Sequence, residues 1–290
     1  MSATASLRAI VGDIKLAHSV FALPFALVGL LFGTRGRWPE PLLLLKVVAA
    51  LVLARSAAMG WNRLLDRRLD ASNPRTARRA LPAGRLRPAA MGAFVAVCSA
   101  LFVAVAGTIN RPCLLLSPAV LAVLLLYSFG KRVTDLTHLL LGLSLALAPP
   151  AAYLAARGAI EPDVVPVLWL SAAVLCWVAG FDILYACQDV EHDRRAGLHS
   201  IPARLGVARA LLVARALHAG MVAALAATAL SARLGPLGWA AVALVAALLL
   251  LEHRLVSPGD LSRLDAAFFT ANGLVSVVFA LLVGADLLWR

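Results

Sequence analysis

Charge is scarce in this chain. Only 14% of its 290 residues are charged, and acids are the rarer sign, 15 against 27 Lys and Arg. Soluble globular domains carry about a quarter charged residues and an apolar share of about half. Here 62% is hydrophobic and mean hydropathy is +0.88, which excludes a soluble globule and leaves an integral membrane protein. Cysteine is also sparse. Cys98, Cys113, Cys176 and Cys187 show no CxxC spacing, so they read as small core residues within helices rather than as metal or disulfide partners. No small-residue cleavage site follows the first apolar run, which reads as a retained helix, not a signal peptide.

What is abundant is long apolar sequence. Stretches able to cross about 30 Å of hydrocarbon lie at about 16–34, 41–60, 90–109, 113–130, 136–155, 164–186, 207–230, 236–252 and 266–288. They predict an all-α integral membrane protein, nine transmembrane helices in one bundle, with residues 1–290 as a single domain. The net charge of +12 could suggest nucleic acid. With nine crossings, however, the Lys and Arg gather on the side that holds residues 61–89 and 187–206, whereas Arg35, Arg37, Arg111, Arg157, Arg233 and Arg290 fall opposite. That is the positive-inside pattern, so the expected partner is the lipid bilayer and not nucleic acid, with 61–89 and 187–206 as cytoplasmic loops.

Each of those two segments begins with acids at helical spacing. Asn62, Asp66 and Asp70 in NRLLDRRLD lie four apart and share one helix face. Asp182, Tyr185, Asp189 and Asp193 in DILYACQDVEHD form a second stripe, expected on one face over three turns. Oxygen ligands of this kind suit Mg²⁺, which is usually held by one or two carboxylates plus substrate phosphate oxygens. Neither stripe carries the paired His or Cys that zinc requires. The plainer reading pairs the acids with Arg63, Arg67, Arg68, Arg194 and Arg195 as a solvated helix end, but two such stripes on one membrane side, in a chain so poor in acids, favour a site. Asp182 lies deepest, and an ionisable group inside a span is functional by default.

A third element is Tyr127, Lys131 and Arg132 in YSFGKRVTD, where cations either serve the helix dipole or grip an anion such as a diphosphate. His18 and His199 read as packing or hydrogen-bonding residues. The run Arg75–Arg87 suits anionic headgroups or closure over an anionic substrate. The competing class is a secondary transporter, whose sites lie near the midplane at broken helices; here the acids gather at one face.

Taken together, these residues resemble the UbiA superfamily of intramembrane aromatic prenyltransferases. Asn62, Asp66, Arg67 and Asp70 match its NxxxDxxxD motif, Asp182, Tyr185, Asp189 and Asp193 its DxxYxxxDxxxD motif, and Tyr127 with Lys131 its YxxxK element. Arg63 stands where many members have Asp. The stretches HSVFALP and DILYACQDVEHDRRAGLHSIPARLG look most like bacterial 4-hydroxybenzoate polyprenyltransferase-type members of quinone biosynthesis. The resemblance implies a UbiA-type prenyltransferase fold in the bacterial inner membrane, with the active site facing the cytoplasm. It implies Mg²⁺ held by Asn62, Asp66, Asp70, Asp189 and Asp193, and a polyprenyl diphosphate donor gripped by Arg67, Lys131 and Arg132. Asp182 and Tyr185 would position the reacting ends, and the acceptor would be a small aromatic acid, 4-hydroxybenzoate or 1,4-dihydroxy-6-naphthoate, for ubiquinone or menaquinone.

Overall fold

The computed structural model describes residues 9–10, 12–14, 22–264 and 272–289. Its helices are α1 (Leu23–Gly33), α2 (Pro41–Ser72), α3 (Pro88–Ile109), α4 (Arg111–Leu126), α5 (Thr137–Ala146), α6 (Ala148–Arg157), α7 (Val165–Ala186), α8 (Val190–Arg195), α9 (Ile201–Leu205), α10 (Val207–Ser231), α11 (Pro236–Leu255) and α12 (Asn272–Leu288). Among the described residues the extended contacts amount to an isolated bridge between Ser257 and Asp260. The described residues form an all-α fold, as the apolar runs require.

Among the described residues, seven helical segments are long and apolar enough to cross a membrane: Pro41–Ser72, Pro88–Ile109, Arg111–Val133, Thr137–Arg157, Pro162–Arg195, Val207–Ser231 and Pro236–Leu255. The expected crossings at 16–34 and 266–288 correspond, in their described parts, to α1 and α12, of 11 and 17 residues, shorter than the roughly 20 residues a crossing needs. Residues 16–21, with His18, and 266–271 lie outside the described residues. Leu101, Leu115, Leu212, Leu250 and Leu281 all face outward. Lipid-facing helices of an integral membrane protein present such side chains to hydrocarbon. α2 continues past the expected end at residue 60 to Ser72, because the polar run NRLLDRRLDAS contains good helix formers and meets no Pro until Pro74.

The chain packs as two units, one of residues 1–19 with 45–128, the other of residues 20–44 with 129–290. In the first, Ile10, Ile14, Ala80, Leu81, Leu86 and Met91 form a small buried cluster, and Lys46 of α2 donates to the Thr108 carbonyl at the end of α3.

In the second, α7 is the central helix. Its Trp177 is fully buried, with the Phe25 ring 5.1 Å and the Phe181 ring 5.1 Å away, and Phe279 stacks on Phe25 at 5.3 Å. The sequence GLLFG in α1 puts Gly29 and Gly33 one turn apart, and a Cβ at either would strike the backbone of α6 at Pro149 or Tyr153. Small residues at this spacing let two helix backbones meet where lipid supplies no hydrophobic drive. A buried polar chain crosses this unit: Trp177 Nε1 donates to Asn272 Oδ1 at 2.6 Å, and Asn272 Nδ2 donates to Glu252 Oε1 at 2.8 Å.

Asp286 of α12 caps α11 from outside, accepting from the Gly235 amide at 2.9 Å and the Gly238 amide at 3.3 Å. These are amides that the first turn of a helix leaves without partners. Asp286→Ala is expected to cost about 1–2 kcal/mol, read as a lower melting midpoint of the purified protein in detergent.

Candidate active site

The first acidic stripe lies on the last three turns of α2. Asp66 and Asp70 are only 3% and 7% exposed, unusual for carboxylates. Asn62 Nδ2 donates to Asp66 Oδ2 at 3.3 Å, so amide and acid share a face as the four-residue spacing predicts. Beyond Ser72 the chain doubles back: Asn73 Oδ1 accepts from the Arg75 amide, and Thr76 Oγ1 donates to the Asp70 carbonyl at 3.0 Å. The turn brings Arg79 Nη1 within 2.8 Å of both Asp70 oxygens. A cation therefore stands on Asp70.

Arg63 is buried on a neighbouring face of α2. Its Nη1 reaches Asn62 Oδ1 at 3.5 Å and its Nε donates to the Asp13 carbonyl at 3.3 Å, while the Asp13 carboxylate accepts from the Ala80 amide at 3.0 Å. This arginine fastens the chain near residue 13 and the loop near residue 80 to the first stripe. Arg67, the expected phosphate ligand, donates from Nη1 to the Leu64 carbonyl at 3.0 Å. Arg55, seven residues before Asn62 and on its face of the helix, escaped the sequence reading because it is one charge inside an apolar run.

The second stripe departs from expectation. Asp182 and Tyr185 are on the end of α7, but Asp189 closes a 3₁₀ turn, Cys187–Asp189, and Asp193 is on the separate short helix α8. A 3₁₀ turn advances about 120° per residue against about 100° in an α-helix, and Asp189 itself leaves helical geometry at φ −104° and ψ 7°. The four residues therefore do not share one continuous face. A similar tight turn, Tyr127–Phe129, leads from α4 into the helical turn that carries Lys131 and Arg132.

The segment His199–Ile201 organises this half. The His199 amide donates to the Lys131 carbonyl at 2.7 Å. Ser200 Oγ donates to Asp193 Oδ2 at 3.0 Å and accepts from the Ala203 amide as the cap of α9. The Ile201 amide donates to Nε2 of His138, whose Nδ1 is 2.6 Å from Asp182 Oδ2. His199 is a hydrogen-bonding residue, as expected, 3.2 Å from Asp135 Oδ1. Asp135 also accepts from Arg204 at 2.5 Å, and the hydrogen bonds from Arg204, foremost, and His199 hold its carboxyl below the ordinary carboxylate range. His138 and Ser200 were missed because their partners are distant in sequence or lie outside any helical spacing.

No three His, Cys, Asp or Glu side chains converge on one metal position among the described residues. The donors are oxygens, supplied as one or two carboxylates at a time, and a guanidinium already finds cation geometry on Asp70. That chemistry fits Mg²⁺, whose remaining ligands are commonly waters and substrate phosphate oxygens.

The model of the UbiA prenyltransferase family matches residues 22–274. A 4-hydroxybenzoate octaprenyltransferase of Aeromonas hydrophila is 31% identical over 247 residues, 83% of either chain. One of Shewanella denitrificans is 31% identical over 174 residues, 60% of this chain, and the match spans little more than half, 58%, of that relative. Among solved structures, the UbiA homologue from Aeropyrum pernix is 36% identical with a TM-score of 0.84, covering 93% of this chain and 98% of its own. A homologue from Archaeoglobus fulgidus bound to GPP and Mg²⁺ has the same fold at TM-score 0.73 and 22% identity, covering 97% of this chain and 100% of its own. With a match of this extent behind the two acidic motifs, the chain belongs to the UbiA prenyltransferase family.

Proposed function

We propose that this protein transfers a polyprenyl group from polyprenyl diphosphate to a ring carbon of a hydroxylated aromatic acid of the 4-hydroxybenzoate type, in ubiquinone or menaquinone biosynthesis. It acts as one prenyltransferase domain with nine crossings of the bacterial cytoplasmic membrane, its active site facing the cytoplasm. The observation that carries this reading is the buried Asn62–Asp66–Asp70 stripe with a cation seated on Asp70, in a chain of this family. The acceptor is carried over from the name of the Aeromonas relative, and donor and metal from the ligands of the Archaeoglobus homologue.

Asn62, Asp66, Asp70, Asp189 and Asp193 would hold Mg²⁺, which when bound neutralises the diphosphate as a leaving group. Lys131, Arg132 and Arg67 give the diphosphate charge-assisted hydrogen bonds. As the C–O bond breaks, the electron pair leaves with the diphosphate, and the allylic cation that remains is shielded from water by apolar helix faces. Asp182 and Tyr185 orient the acceptor so that an electron-rich ring carbon meets the cation, after which the ring loses its proton.

The test uses protein in lipid with radiolabelled polyprenyl diphosphate, offered 4-hydroxybenzoate or 1,4-dihydroxy-6-naphthoate, with Mg²⁺ or with EDTA. Prenylation of 4-hydroxybenzoate that disappears in EDTA is expected. Transfer only to the naphthoate would overturn the acceptor assignment, and no donor binding at all would favour the transporter.

A further inference from the structure

Helices α5 and α7 meet along a ladder of three contacts. Ser171 Oγ donates to the Ala146 carbonyl, a Cβ at Gly142 would lie 2.6 Å from the Leu175 carbonyl, and His138 contacts Asp182. Positions 146, 142 and 138 descend one turn at a time on α5 while 171, 175 and 182 climb α7. The close approach at Gly142 is what sets the His138 ring against the Asp182 carboxylate. His138 is 2% exposed, and its second nitrogen is engaged as well. An amide N–H can only donate, so Nε2 must accept from Ile201 at 3.3 Å. In a neutral imidazole the proton is then on Nδ1, which donates to Asp182 Oδ2 at 2.6 Å.

We infer that His138 is a positioning residue for prenyl transfer. As the neutral Nδ1–H tautomer it fixes Asp182 through one carboxylate oxygen, leaves the other to the substrate, and ties this deep acid to the His199–Ile201 segment. That segment also bonds Lys131 and Asp193, so one short stretch of backbone sets the deep acid and the outer acid in register. An imidazolium could not fill this role, because a protonated Nε2 would lose the Ile201 bond.

The inference rests on the prenyl-transfer reading of Asp182, and its test separates the two. In reconstituted protein, His138→Leu is expected to lower kcat by about 10- to 100-fold, as loss of an orienting partner commonly does, with KM for the polyprenyl diphosphate changed by less than about twofold. His138→Asn, whose side-chain N–H can replace Nδ1–H, should recover most of kcat. Wild-type kcat in His138→Leu, or equal losses in both variants, would overturn the inference. The ¹⁵N NMR spectrum of histidine-labelled wild-type protein needs no variant to fold: a neutral Nδ1–H His138 supports the assignment, and an Nε2–H or doubly protonated ring refutes it. A wild-type protein with no transferase activity but with the Nδ1–H ring would instead remove the prenyl-transfer reading.

Discussion

Asp66→Ala is expected to reduce prenyl transfer by about 10³-fold or more, the scale seen when a preorganised group that stabilises developing charge is lost, while leaving the protein folded. Asp66 sits almost fully buried in the middle of the first stripe with the Asn62 amide directed at it. Burial makes the carboxylate expensive to keep, so its presence serves chemistry rather than stability. Removing it should leave the melting midpoint in detergent unchanged or slightly raised, the usual trade between a strained site and a stable one. Asp189→Ala in the second stripe should behave alike. Steady-state turnover with radiolabelled donor, measured beside the melting curve, checks both, and near-wild-type turnover in either variant would remove the proposed site.

Asn272→Leu is expected to do the reverse, lowering stability by about 3–5 kcal/mol, the range for breaking a buried polar network. Asn272 is fully buried and joins the Trp177 indole N–H to the Glu252 carboxylate. Leucine offers neither partner a hydrogen bond, and each buried group left unmatched costs about 1–3 kcal/mol. Glu252→Gln is the informative control, because it keeps an acceptor for Asn272 and removes only a buried ionisable group. Thermal unfolding in detergent should place Asn272→Leu far below wild type and Glu252→Gln near it. Equal, small losses in both would mean that the network is not what holds α7, α11 and α12 together.

Much of this was legible in the sequence because the signals are local. Apolar runs delimit the helices, and acids four apart give the Asn62–Asp66–Asp70 face, which the structure retains. What escaped depends on residues far apart or on a change of helical pitch. The 3₁₀ turn at Cys187–Asp189 rotates Asp193 away from the face it would share in a regular α-helix. His138 meets Asp182 across 44 residues, and Asn272 meets Trp177 across 95, contacts that no periodicity encodes. Arg79 reaches Asp70 only because the chain reverses after Ser72, and Arg63, out of step with the motif, proves to anchor Asp13.

The glycine face of α1 has a consequence in time. Gly29 can meet Pro149 only after another 120 residues have been made, the difference between the two positions. A ribosome adding about 5–20 residues per second takes on the order of ten seconds to do so. For that interval α1 stands without its α6 partner, its backbone groove open to whatever helix passes. Any pairing it makes early must be weak enough to dissolve when the Pro149 turn emerges.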